Sequence, residues 1–265
     1  MTALEKTVVP RQADPGTAPG APLRRTSKPS LSRLTLVELR KLADTRAGLW
    51  LLIIIVLASV ATTVIMLTAA ADDEQTFAGF FTFAQLPAGV LLPVLGILSM
   101  TSEWTQRTAL GTFTLVPQRG RVVAAKLSAA VLIAVIAAAS GFVFAAAGNM
   151  IAGGSWSISW QLVAQCVALQ VVWVLMGSAF GALLMNSPLA IVMFFALPMV
   201  WTILGETIRS LRTAAGWLDI NTTTTPLTEA GMTGGEWARL AVSAAVWVLL
   251  PLVLGTVRVL RREVS

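Results

Sequence analysis

Gly48-Leu-Trp-Leu-Leu-Ile-Ile-Ile-Val-Leu-Ala-Ser-Val-Ala-Thr-Thr-Val-Ile-Met-Leu-Thr-Ala-Ala70 runs through 23 residues without a charged side chain. A hydrocarbon layer about 30 Å thick needs roughly 20 apolar residues in a helix, because only a helix satisfies its own backbone there. The stretch is therefore predicted to cross a bilayer, and it is too long for the apolar core of a signal peptide. Five more runs have the same character: Gly79–Thr101, Leu127–Met150, Trp160–Leu184, Pro188–Leu204 and Trp237–Val257. The predicted fold class is an all-α, polytopic membrane protein with six transmembrane helices. Pro87 and Pro93 are expected to bend the second span and Pro198 the fifth, since each removes a helical hydrogen bond.

Composition agrees. Of 265 residues, 56% are apolar and 12% charged, about half the charged share of a soluble domain, and the mean hydropathy is +0.78. Six spans with short loops leave no room for a separate catalytic domain. Histidine is absent and Cys166 is the only cysteine. Imidazole catalysis, intrachain disulfides and thiolate metal clusters are thereby excluded.

Outward from the first span, residues 1–29 are rich in Pro, Gly, Ala, Thr and Arg, and are predicted to be a disordered tail. In residues 30–46, Leu31, Leu34, Leu39 and Leu42 recur at helical spacing opposite Arg33, Arg40 and Asp44. This predicts an interfacial helix whose apolar stripe is interrupted by Thr35 and Glu38. Nine of the Lys and Arg residues precede the first span; Arg107, Arg119, Arg121 and Lys126 join the second and third; Arg258, Arg261 and Arg262 end the chain. The other side has three cations, Arg209, Arg212 and Arg239, among seven acids. The positive-inside rule then predicts that both termini are cytoplasmic in a multi-pass protein of the plasma membrane. The net charge of +6 is explained by this orientation, and no basic domain points to nucleic acid.

No Gly-x-x-x-x-Gly-Lys-Ser/Thr phosphate loop occurs, so any use of ATP would need another polypeptide. No span carries a charge near its middle, which disfavours an ion-coupled transporter. The most informative stretch is the connection from Ser102 to Lys126, with Glu103 at the end of the second span, Arg107, Thr108, the Gly111-Thr112 pair, Leu115, Pro117, Arg119, Arg121 and Lys126. A charged connection continuous with two spans is a natural lever for a soluble partner. Glu103 contributes nothing to orientation, and a local ion pair with Arg107, four residues on, is its expected structural role.

In this connection, and in Glu38-Leu39-Arg40-Lys41-Leu42 before the first span, the chain resembles the type-2 permeases of ATP-binding-cassette exporters. The family's pattern is a Glu, a Gly/Thr element, a Leu-x-x-Pro-x-x-Arg-like turn and a Lys. Thr108 competes with Gly111-Thr112 for the second place, and Arg119 with Arg121 for the Arg. The resemblance implies an N-terminal interface helix and a dimer, homo- or heteromeric, of six-helix subunits. It also implies two soluble ATPase subunits, which hold the ATP and Mg this chain does not, and an outer segment before the last span that dips back into the membrane. Glu38, Arg40, Lys41, Glu103, Arg107, Thr108, Gly111, Thr112, Pro117, Arg119, Arg121 and Lys126 would then couple ATPase to permease. A non-transporting membrane scaffold would need no such element.

Inside the spans, Gly177 and Gly181 form a Gly-x-x-x-Gly pair that permits close helix approach, within one subunit more often than between two. Thr62, Thr63, Gln85, Gln165 and Gln170 are uncharged polar groups that either line a substrate path or bond helix to helix.

Overall fold

The computed structural model describes residues 30–105, 119–229 and 231–261. The N-terminal tail, together with Arg107, Thr108, Gly111, Thr112 and Pro117, lies outside the described residues. Within them the chain is helical without strands, and six helical segments are long and apolar enough to cross a membrane: Arg46–Ala69, Phe77–Glu103, Arg119–Ala152, Trp160–Leu184, Ser187–Thr207 and Gly234–Arg261. The protein is a multi-pass membrane protein.

Helix α1 (Leu31–Asp44) is capped by Ser30 and leads through Thr45 into α2 (Arg46–Ala69), the first span. The second span is made of two helices, α3 (Phe77–Ala84) and α4 (Leu86–Thr105), broken at Gln85. Pro87 explains the break: it has no N–H for the carbonyl four residues back. Gln85 N turns to Thr82 O at 3.1 Å, and the Ser59 hydroxyl donates to Ala84 O at 3.0 Å. Pro93, by contrast, lies inside continuous helix.

The third span, α5 (Arg119–Ala152), is a single 34-residue helix. At 1.5 Å per residue it is about 50 Å long, so it outreaches the hydrocarbon layer. It begins eight residues before the hydropathy-based start, because Arg119, Arg121 and Lys126 interrupt the apolar run but not the helix. Helix α6 (Trp160–Leu184) ends at Met185, in left-handed conformation with φ 51°. Asn186 then caps α7 (Ser187–Thr207) by accepting from Leu189 N at 3.0 Å, closing the tight hairpin that the short connection predicts.

The segment before the last span folds as short helices, α8 (Arg212–Leu218) and α9 (Ile220–Thr224), followed by a 3-10 turn, Thr225–Thr228. Asp219, 2% exposed, starts α9 by accepting from Asn221 N at 3.0 Å. It also accepts from Thr202 of α7 at 3.0 Å and from Thr222 at 2.7 Å. The last span joins α10 (Gly234–Ala244) to α11 (Leu250–Arg261) through a π-helical turn at Ala245–Leu249. Pro251, which has no N–H to give, follows directly.

Helix α6 is central and packs most extensively on α4. Lipid tails are as apolar as the side chains, so this packing depends on close approach rather than on escape from solvent. A Cβ on Gly177 would strike the backbone of Pro93, one on Gly181 would lie 2.9 Å from Ile97 O, and one on Gly96 would lie 2.7 Å from Val174 O. The Gly-x-x-x-Gly pair therefore packs within the subunit.

Candidate functional site

Helices α1, α4 and α5 meet at the basic boundary of the bundle around four charges. Lys126 Nζ donates to Glu38 Oε2 and to Ser99 O, both at 2.8 Å, and lies 3.4 Å from Glu103 Oε1. Lys41 Nζ lies 2.7 Å from Glu38 Oε1 and 3.4 Å from Glu103 Oε1. The Lys126, Glu38 and Glu103 side chains are 4%, 7% and 8% exposed, against 45% for Lys41. Two carboxylates and two ammoniums balance. Buried charges persist only when so paired, because each loses several kcal/mol of hydration.

This arrangement alters one expectation and adds to another. The face of α1 that packs on the protein is Thr35, Glu38 and Leu42, so the two residues that break the leucine stripe are buried beside one of its leucines. Leu31, Leu36 and Val37 point outward instead. Among the described residues Glu103 takes partners from two other helices, Lys41 and Lys126; Arg107, its expected partner, lies outside them.

Burial alone would raise the Glu38 carboxyl, but the adjacent Lys126 charge and hydrogen bonds from Lys126 and Lys41 outweigh it and hold the pKa below the ordinary value. Burial would lower the Lys41 ammonium, but the hydrogen bond to Glu38 and the charges of Glu38 and Glu103 raise it. The depressed carboxyl stabilises the fold above the ordinary carboxylate range, and that contribution is lost as pH falls through the lowered value. The raised ammonium contributes up to the ordinary lysine range and is lost as pH rises through the raised value. The melting temperature of the purified protein in detergent is thus expected to show an acid-side fall that weakens in Glu38→Gln. An unchanged acid limb in that variant would contradict the assignment.

The other predicted coupling residues spread around this cluster. Arg40 is exposed on the far side of α1. Arg119 Nη1 donates to Val259 O at 3.3 Å, fastening the start of α5 to α11. Arg121 is half-buried, five residues before Lys126 on α5.

Nearer the acidic side, a cavity of about 290 Å³ lies among α3, α4, α6, α7 and the α9 turn. Trp173, Phe194, Phe195 and Leu169 give it an apolar wall, Gln85 and Asn221 add amides, and among the described residues no ionisable group but Cys166 lines it. Gln85 sits at the break of the second span. Its Nε2 donates to Ala138 O at 3.0 Å, and Gln170 Nε2 donates to Gln85 O at 2.9 Å. Gln170 Oε1 is buried without a partner.

Of the predicted path residues, Gln85 lines this cavity and Gln170 stands behind it. Thr62 and Thr63 bond to Ser59 O of their own helix at 3.0 and 2.8 Å. The Gln165 amide fits with its nitrogen on Glu229 O at 2.9 Å and its oxygen on Met232 N at 3.3 Å, holding the segment before the last span to α6. Sequence reading missed the aromatic wall and Cys166, whose residues look like ordinary span residues in isolation. Asp219 followed by Asn-Thr-Thr was a legible helix cap. Compared with known proteins, the chain matches no family model and no curated protein.

Proposed function

We propose that this chain is the membrane-spanning subunit of an ATP-driven exporter. A soluble ATP-binding-cassette ATPase would dock on the basic, cytoplasmic side, and a second permease subunit would complete the dimer. ATP and Mg belong to the ATPase. The observation that carries the reading is the four-charge cluster, which fastens an interfacial helix to those ends of the second and third spans that residues 106–118 join in sequence. A partner pressing on that connection would move both spans as one. The uncharged cavity beside the Gln85 break suits a lipophilic or amphipathic cargo, moved outward by alternating access across the plasma membrane.

The test is reconstitution with the ATPase that copurifies in mild detergent. Wild-type permease is expected to stimulate ATP hydrolysis, and Glu103→Gln to lose most of that stimulation at equal membrane level. Copurification of no ATPase, or equal stimulation by both forms, would sink the coupling role.

A further inference from the structure

A recess of about 140 Å³ adjoins the charge cluster at the corner between α1, α2, α4 and α7. One part of its wall is apolar, Leu42 and Leu98; another is polar, Glu38, Lys41, Ser99 and Ser102. Ser99 Oγ, on a residue 6% exposed, is buried with no hydrogen-bond partner. Such a group in a native structure calls for an explanation. Lys41 has three N–H donors, is half-exposed, and is given two carboxylate partners. A donor thus remains for something outside the protein. Ser102 is half-buried, so the recess can be reached from the membrane boundary.

What fits is set by charge and size. The cluster is already neutral, two acids against two lysines. A ligand with net charge would unbalance it where solvent screens poorly, whereas one carrying both signs would not. A phosphate can accept from Lys41 and from the Ser99 hydroxyl, while the Ser102 hydroxyl donates to Ser99 O at 3.3 Å and offers a phosphate no further hydrogen. An ammonium can approach the Glu38 side and donate to a hydroxyl oxygen. The volume admits a small headgroup with its acyl chains left outside, and a quaternary amine would be bulkier and have no N–H to donate.

We infer that this recess binds the headgroup of phosphatidylethanolamine from the surrounding leaflet. The inference stands whether or not an ATPase docks below it.

The experiment measures lipid retained by the purified full-length chain, by native mass spectrometry after exchange into mixed micelles. The micelles contain equal phosphatidylethanolamine, phosphatidylcholine and phosphatidylglycerol. Wild type is expected to keep the ethanolamine lipid about tenfold over the choline lipid, a difference of one hydrogen-bonded contact, and to keep it over the glycerol lipid. Ser102→Leu, which fills the recess, is expected to abolish that preference. Ser99→Ala, a smaller change, is expected to reduce it severalfold and decides the matter if Ser102→Leu does not fold. Equal retention of the choline lipid, preference for the anionic glycerol lipid, or an unchanged preference in Ser99→Ala would each overturn the inference.

Discussion

Lys126→Met is expected to destabilise the protein by about 3–5 kcal/mol, the usual cost of removing one partner from a buried ion pair. The methionine fills similar space, so the loss is electrostatic. Glu38 and Glu103 would remain, 7% and 8% exposed, with the half-exposed Lys41 as their one described cation. The check is unfolding of the purified protein in detergent, compared for wild type, Lys126→Met and Lys126→Met/Glu38→Gln. The double variant removes the stranded carboxylate and is expected to recover much of the loss, giving a large coupling energy in the cycle. A Lys126→Met protein that unfolds like wild type would mean that water or rearrangement compensates, and that the cluster does not hold α1 to the bundle. Glu38→Gln alone should cost less than Lys126→Met, because it leaves one acid facing two cations, one of them half-exposed.

The second large effect is expected from Gly177→Leu. The new side chain would start where the Pro93 backbone already lies, and neither rigid helix can yield locally. Overpacking typically costs about 1–3 kcal/mol and more where backbones touch, so loss of monodisperse protein is expected. Gly181→Ala grades the argument: its Cβ would sit 2.9 Å from Ile97 O, which a small shift of the helices can relieve, so a modest drop in melting temperature is expected. Gly120 is the control. Nothing lies within 4 Å of a Cβ there, and Gly120→Ala in a helix should be neutral or stabilising by about 0.5–1 kcal/mol. Equal melting of Gly177→Leu and wild type would remove the Gly177 approach from the packing.

The six crossings were legible because lipid imposes one coarse demand on sequence, an unbroken apolar run, and Gly48–Ala70 meets it without any tertiary information. The ends were less legible. Hydropathy stops at a charge, whereas the helix of Arg119–Ala152 continues through three of them because its hydrogen bonds do not depend on side-chain polarity. Glu38 was readable as a residue of interest but not as a buried one. Its burial depends on Lys126, 88 residues away, and no local pattern reports that. The cavity was least legible. Its wall is assembled from three spans and the segment before the last one, so Trp173 and Phe194 acquire meaning only together. Gln85 was identified as polar within a span, but its place at a break required Pro87 and Ser59 to be read jointly.

The second and third spans differ in stiffness while sharing an anchor. Helix α5 is an unbroken rod, whose far end fits against the start of the second span, with Phe80 of α3 beside Gly148. The second span has a knee at Gln85. Both are fastened at one end by Lys126, which grips Ser99 O of the jointed member from the straight one. In such a linkage the rod conveys displacement along its whole length without absorbing it, and the jointed member takes up the mismatch at its knee. That knee is held by a few side-chain contacts: Gln85 to Ala138 O on the rod, Gln170 to Gln85, and the Ser59 hydroxyl to Ala84 O. It is also where the cavity opens, so the compliant point of the linkage and the wall of the enclosed space are the same few atoms.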